Sequence, residues 1–88
     1  MIRPAQIRAA RSLLGISQNQ LSEMADVGIS TIKRIELAPE VSGSARTLLK
    51  LEEALERGGV EFIPAEGRKG PGVRLSHEEA ITPGRRRR

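Results

Sequence analysis

One seven-residue stretch, ADVGIST at residues 25–31, constrains this chain more than any other. It separates two segments that both read as helix. SQNQLSEMA, residues 17–25, sets Leu21, Met24 and Ala25 at helical spacing, and ISTIKRIEL, residues 29–37, sets Ile29, Ile32 and Ile35 three apart. A single long helix would leave fewer backbone groups unpaired, because each helix end strands its own. The chain nevertheless breaks: Asp26 tolerates turn geometry and Gly28 is a permissive N-cap. Two short helices joined this tightly must cross steeply.

Similar punctuation organises the rest. Pro4 fits the first turn of a helix over residues 4–14, where its missing N–H costs nothing. Ile7, Ala10, Leu13 and Leu14 form its apolar stripe, and Gly15 ends it. Ser17 is a cap for the helix over 18–25, its hydroxyl accepting from the N–H of Asn19 or Gln20. The helix over 29–37 cannot extend far, because Pro39 follows. Ser44 caps a fourth helix over 45–57, with Leu48, Leu51 and Leu55 as its core face, Leu49 adjoining and Glu52, Glu53 and Glu56 turned to water. Gly58 and Gly59 close it. VEFI at 60–63 and GVRL at 72–75 read as two strands joined by a loose loop over 64–71. Such a hairpin is marginal alone and must pack on the helices or on another chain. Residues 76–88 show no useful periodicity and are expected to be a disordered basic tail.

Composition removes several function classes. With no cysteine and one histidine, neither a thiolate cluster nor a histidine-rich metal site can form within one chain. His77-Glu78-Glu79 opens like a zinc-helix motif but lacks the second histidine, so no metal site or cofactor is expected. Ser17 and Ser44 are caps and not nucleophiles, because no histidine is placed to activate either. No acid–base constellation is visible and no enzyme is expected. Phe62 is the one aromatic residue, too few for a platform that stacks single-stranded bases. The opening MIRPAQIRAA does not resemble a signal sequence, and no run approaches the ~18 apolar residues of a membrane span. The chain therefore reads as cytoplasmic, without a membrane role.

Charge points to a partner. Residues 1–36 carry five basic and three acidic side chains, residues 37–67 three and six, and residues 68–88 seven and two. A basic head and tail around an acidic middle suit a polyanion touched by particular surfaces. Arg85 to Arg88 are a solvated end or an arm that binds phosphate. Two helices at a steep angle can share duplex DNA: the first crosses the backbone while the second enters the major groove. On the second, Ile32 and Ile35 face the core, leaving Ile29, Ser30, Lys33 and Arg34 toward the other side. Ser30 and Thr31 can approach bases or phosphates, Lys33 and Arg34 can reach guanine acceptors or phosphates, and Ile29 can pack on a thymine methyl. Gln18 opens the preceding helix, where free N–H groups and the helix dipole favour a phosphate.

These residues also carry a resemblance. ARSLLGISQNQLSEMADVGISTIKRIE, followed by TLLKLEEAL, resembles the helix-turn-helix domain of the Cro and phage-repressor type, the xenobiotic-response-element family. The match rests on Arg11, Leu14, Gly15, Ser17, Gln18, Leu21, Ala25, Ile32, Ile35 and Glu36 and spans about residues 4–57. It implies a mostly α, compact four-helix, lambda-repressor-like domain, here with a short C-terminal β-hairpin. It also implies a transcription regulator, bound to double-stranded DNA as a homodimer. By position, Gln18 matches a phosphate-contacting glutamine, and Ile29, Ser30, Thr31, Lys33 and Arg34 match the DNA-facing part of the recognition helix. Arg11 and Glu36 match an ion pair that ties the first helix to the end of the third. The chain departs from the pattern at Asp26, where a turn glycine is usual, at Gly28, where a hydroxyl cap is usual, and at Leu37, where a glycine commonly follows the glutamate. The connector carries Glu40 where relatives are often basic, and Arg46 is the substitute.

The expected layout is a DNA-binding domain at 1–58, a hairpin extension at 59–75 serving dimerisation, and the tail at 76–88. GGVEFIPAEGRKGPGVRL is similar to the ending of many small bacterial members of the family. That ending either pairs subunits through its strands or closes the helical core with Phe62 and Ile63. The alternative function is an antitoxin-like module that holds a partner protein through residues 60–75.

Overall fold

The structure, a computed structural model, describes residues 1–76. Four helices are followed by two strands: α1 Pro4–Leu14, α2 Gln18–Ala25, α3 Ile29–Leu37, α4 Ala45–Gly58, β1 Val60–Ile63 and β2 Gly72–Leu75. The mostly helical, four-helix plan with a terminal hairpin is the one the sequence predicts. Its ends are set by local chemistry. Gly15, at φ 69°, closes α1 with its N–H on the carbonyls of Arg11 and Ser12. Ser17 Oγ accepts from Gln20 N at 3.0 Å while Gln20 Oε1 accepts from Ser17 N at 2.8 Å, so two stranded donors at the start of α2 are satisfied reciprocally. Ser44 Oγ caps α4 through Thr47 N at 3.1 Å. α4 runs one residue past the expected Arg57, because Gly58 stays helical and Gly59, at φ 115°, takes the left-handed turn. A β-carbon on Gly58 would stand 3.0 Å from Leu14 Cδ1 and 3.3 Å from Met24 Cε, so a side chain there would push both neighbours aside by a few tenths of an ångström.

Ile7, Leu21, Ile32, Ile35, Leu48, Leu51 and Leu55 meet in one core, joined by Ala10, Ala25, Val27, Ala54 and Val60. Each large side chain in it stabilises the fold by about 1.5–3 kcal/mol. Three apolar residues read as part of the core faces, or beside them, lie outside it. Leu13, Met24 and Leu49 are exposed, because a short helix buries an arc about 100° wide and each sits one position round from a residue already filling it. Leu14 is only half-buried.

The hairpin is antiparallel, pairing Val60 with Leu75, Glu61 with Arg74, Phe62 with Val73 and Ile63 with Gly72. Its loop is tighter than the loose one expected. Glu66 and Lys69 exchange both backbone hydrogen bonds, at 2.8 and 2.9 Å, around a two-residue turn whose first position, Gly67, has φ 61°. The strands pack on α1 and α4, burying Val60 and half-burying Phe62, Ile63 and Val73. The sequence offered no hint of the residue that seats them. Gln6 is buried in α1, and its Nε2 donates to Gly72 O at 3.0 Å, with a longer 3.5 Å contact to Ile63 O. His77 to Glu79 and Arg85 to Arg88 lie outside the described residues.

Candidate nucleic-acid interface

The surface in question is built where α1, α2 and α3 meet. The bend between α2 and α3 is held from three sides. Ser22 Oγ donates to Val27 O at 2.6 Å, Val27 N donates to Ser22 O at 3.2 Å, and Arg57 Nη2 reaches Met24 O at 3.1 Å. Asp26 supplies the left-handed residue, at φ 57°, that a glycine would supply without strain. Gly28 precedes α3 with no side-chain cap, so the first turn of that helix leaves donors open to an outside partner.

α3 divides cleanly. Ile32 and Ile35 are fully buried, whereas Ser30, Lys33, Arg34 and Leu37 are exposed along one side. Ile29 and Thr31 are half-buried at the border, less open than their neighbours. Two cations and a hydroxyl on one stripe of a short helix can contact acceptors in a groove and phosphates beside it.

The end of α3 is fastened to α1. Glu36, buried to 4 % exposure, accepts from Arg11 Nε at 2.8 Å through Oε2 and from Arg11 Nη2 at 2.9 Å through Oε1. Arg11 Nη1 adds a bond to Ile16 O at 3.2 Å, and Arg8 Nη1 donates to the backbone carbonyl of Glu36. Hydrogen bonding to the Glu36 carboxylate raises the Arg11 pKa, so the guanidinium stays charged wherever the fold exists. This two-pronged geometry fixes the angle of α3 to α1 as well as the charge balance.

Gln18 belongs to the same cluster. Its Nε2 donates to Glu36 Oε1 at 2.9 Å, so its side chain turns inward as well as fronting α2. One amide hydrogen and the oxygen remain for an outside partner. The first-turn N–H groups of Gln18 and Asn19 also precede the internal ladder of α2. Of the residues read as DNA-facing, Gln18, Ser30, Lys33 and Arg34 thus offer polar groups around one corner, and Ile29 and Thr31 offer less. Glu40 and Arg46 are both exposed on the connector side. Sequence reasoning missed Arg8, which gave no signal beyond its charge. Leu37, three residues beyond Arg34, ends the exposed stripe of α3.

Among the described residues no helix is long and apolar enough to cross a membrane. No curated protein matches the chain. Residues 7–62 match the helix-turn-helix family, a span that takes in most of α1, all of α2 to α4 and most of β1. The bend, the fastened third helix and this match agree, and the chain belongs to the helix-turn-helix family of the Cro and phage-repressor type, whose members are DNA-binding regulators.

Proposed function

We propose that this regulator binds double-stranded DNA sequence-specifically, as a homodimer on a near-palindrome, with α3 in the major groove. One observation carries the reading: α3 keeps Ile32 and Ile35 in the core while exposing Ser30, Lys33 and Arg34 on one stripe. In this account Arg34 reads a base edge, Lys33, Ser30 and Thr31 contact bases or phosphates, and Ile29 packs at the groove floor. Gln18 meets a phosphate with its free amide hydrogen and the N–H groups of α2. Arg11 and Glu36 hold α3 at its docking angle and touch no base. Residues 1–58 carry this role. The described residues measure 35 × 35 × 18 Å, so two copies side by side suit half-sites about 34 Å apart, one helical turn. The hairpin at 59–75 has only two strands, which leaves an outer edge for pairing with the second copy.

The test separates reading from positioning. Arg34→Ala should cost about 1–3 kcal/mol and relax preference at one base pair per half-site. Gln18→Ala should weaken every sequence alike. Titration of labelled duplexes, matched and singly mismatched, measures both. A uniform loss from Arg34→Ala would assign it to phosphate, and negligible effects of both would end the docking model.

A further inference from the structure

Leu37 takes no part in the docking proposed above. Among the described residues it is the most exposed of the large apolar side chains, at 84 % against 67 % for Met1 at the chain terminus. It is the last residue of α3, because Ala38 is extended at ψ 142° and Pro39 follows. Its direction is therefore a helical one. It lies three residues from Arg34, four from Lys33 and seven from Ser30, on the exposed stripe itself. The turn that bears it is held firmly. Arg8 binds the backbone carbonyl of Glu36, Arg11 binds the Glu36 carboxylate, and Ala38 N donates to Ile35 O at 3.2 Å. A leucine is thus presented to solvent from a fixed platform, in line with two cations.

We infer that Leu37 reads a thymine, packing its isobutyl group on the C5-methyl in the major groove at the end of the stripe opposite Ile29. The inference rests on the proposed docking of α3 and names a further residue that determines specificity. The chemistry selects the occupant. Phosphates, sugars and the polar base edges give a leucine nothing to replace its water, whereas the thymine methyl is the apolar feature the major groove displays. Lys33 and Arg34 draw the surrounding phosphates and base acceptors, so the methyl contact adds selectivity on a surface already attracted to DNA. Burying one methyl group is worth about a four-fold change in binding.

The experiment uses the full chain and its Leu37→Ala variant, whose side chain is too exposed to matter to the core. A bound duplex is first selected from a random pool. Each thymine in it is then replaced singly by deoxyuridine, which removes only the methyl group. The expected result is one position per half-site where deoxyuridine weakens the natural chain about four-fold and leaves Leu37→Ala unchanged. If no position separates the two proteins while Arg34→Ala still alters base preference, Leu37 reads no thymine and α3 docks without it. If Arg34→Ala alters nothing either, the docking of α3 fails and this inference with it. A loss from Leu37→Ala that is equal on all sequences, with the bound species falling from two copies to one, would place Leu37 in a subunit contact and overturn the inference.

Discussion

Asp26 holds a backbone conformation that side-chain-bearing residues rarely adopt, at φ 57°, where α2 must turn into α3. Left-handed geometry costs a residue with a β-carbon about 1 kcal/mol, which aspartate offsets in part. Asp26→Gly should therefore stabilise the fold by about 0.5–1 kcal/mol in urea denaturation, and a loss would mean that the carboxylate does more than tolerate the turn. Arg11 is the opposite case. Arg11→Met strands the Glu36 carboxylate, which is 3 % exposed, and should cost about 3 kcal/mol. Replacing both Arg11 and Glu36 by methionine should recover most of that loss, whereas a double variant as weak as the single one would assign Arg11 a contribution beyond neutralising Glu36. At this scale the sequence was most informative about residues that act on neighbours. Ser17 and Ser44 could be read as caps because their partners lie three residues away. The capture of the Gln18 amide by Glu36 could not, because eighteen residues separate them and only the fold brings them together.

At the scale of elements, the breaks were legible and the seating was not. Gly15, Gly28, Pro39 and Gly59 punctuate the helices by backbone chemistry that a sequence displays directly. Leu13, Met24 and Leu49 show the other side: an apolar letter does not say which part of a helix a neighbour covers. The hairpin was expected from its strand formers, yet its attachment depends on Gln6, a polar residue with no marker of burial. α4 carries a titratable signature of its own. Desolvation raises the Glu56 pKa, with Glu52 and Glu53 adding to the shift. A carboxylate raised in the folded state favours folding below its ordinary range, and that contribution is lost as pH rises through it. Glu56→Gln should consequently raise stability at neutral pH by about 0.2–0.5 kcal/mol, the scale of a like-charge pair one turn apart, and change nothing near pH 3. Thermal melts at both pH values check this, and equal gains at both would show that charge is not the cause. Glu61 runs the other way: hydrogen bonding to Arg74 lowers its pKa, so its small contribution is lost as pH falls.

For the whole molecule, the helix-turn-helix plan was legible because the bend, the caps and the ion-pair partners stand in one order, at set spacings, along residues 4–57. A pairing of two copies was not, because an interface is a property of surfaces that the order of residues does not reveal. In the proposed role a small basic-headed chain must choose among DNA sequences, and must choose as a pair. Selection of bound duplexes from a random pool, read at about 50 and 200 mM salt, tests this directly. The predicted result is one enriched near-palindrome, its half-sites one helical turn apart, with affinity falling by about two orders of magnitude or more between the two salt concentrations. A folded protein that enriches no sequence at either salt would contradict it.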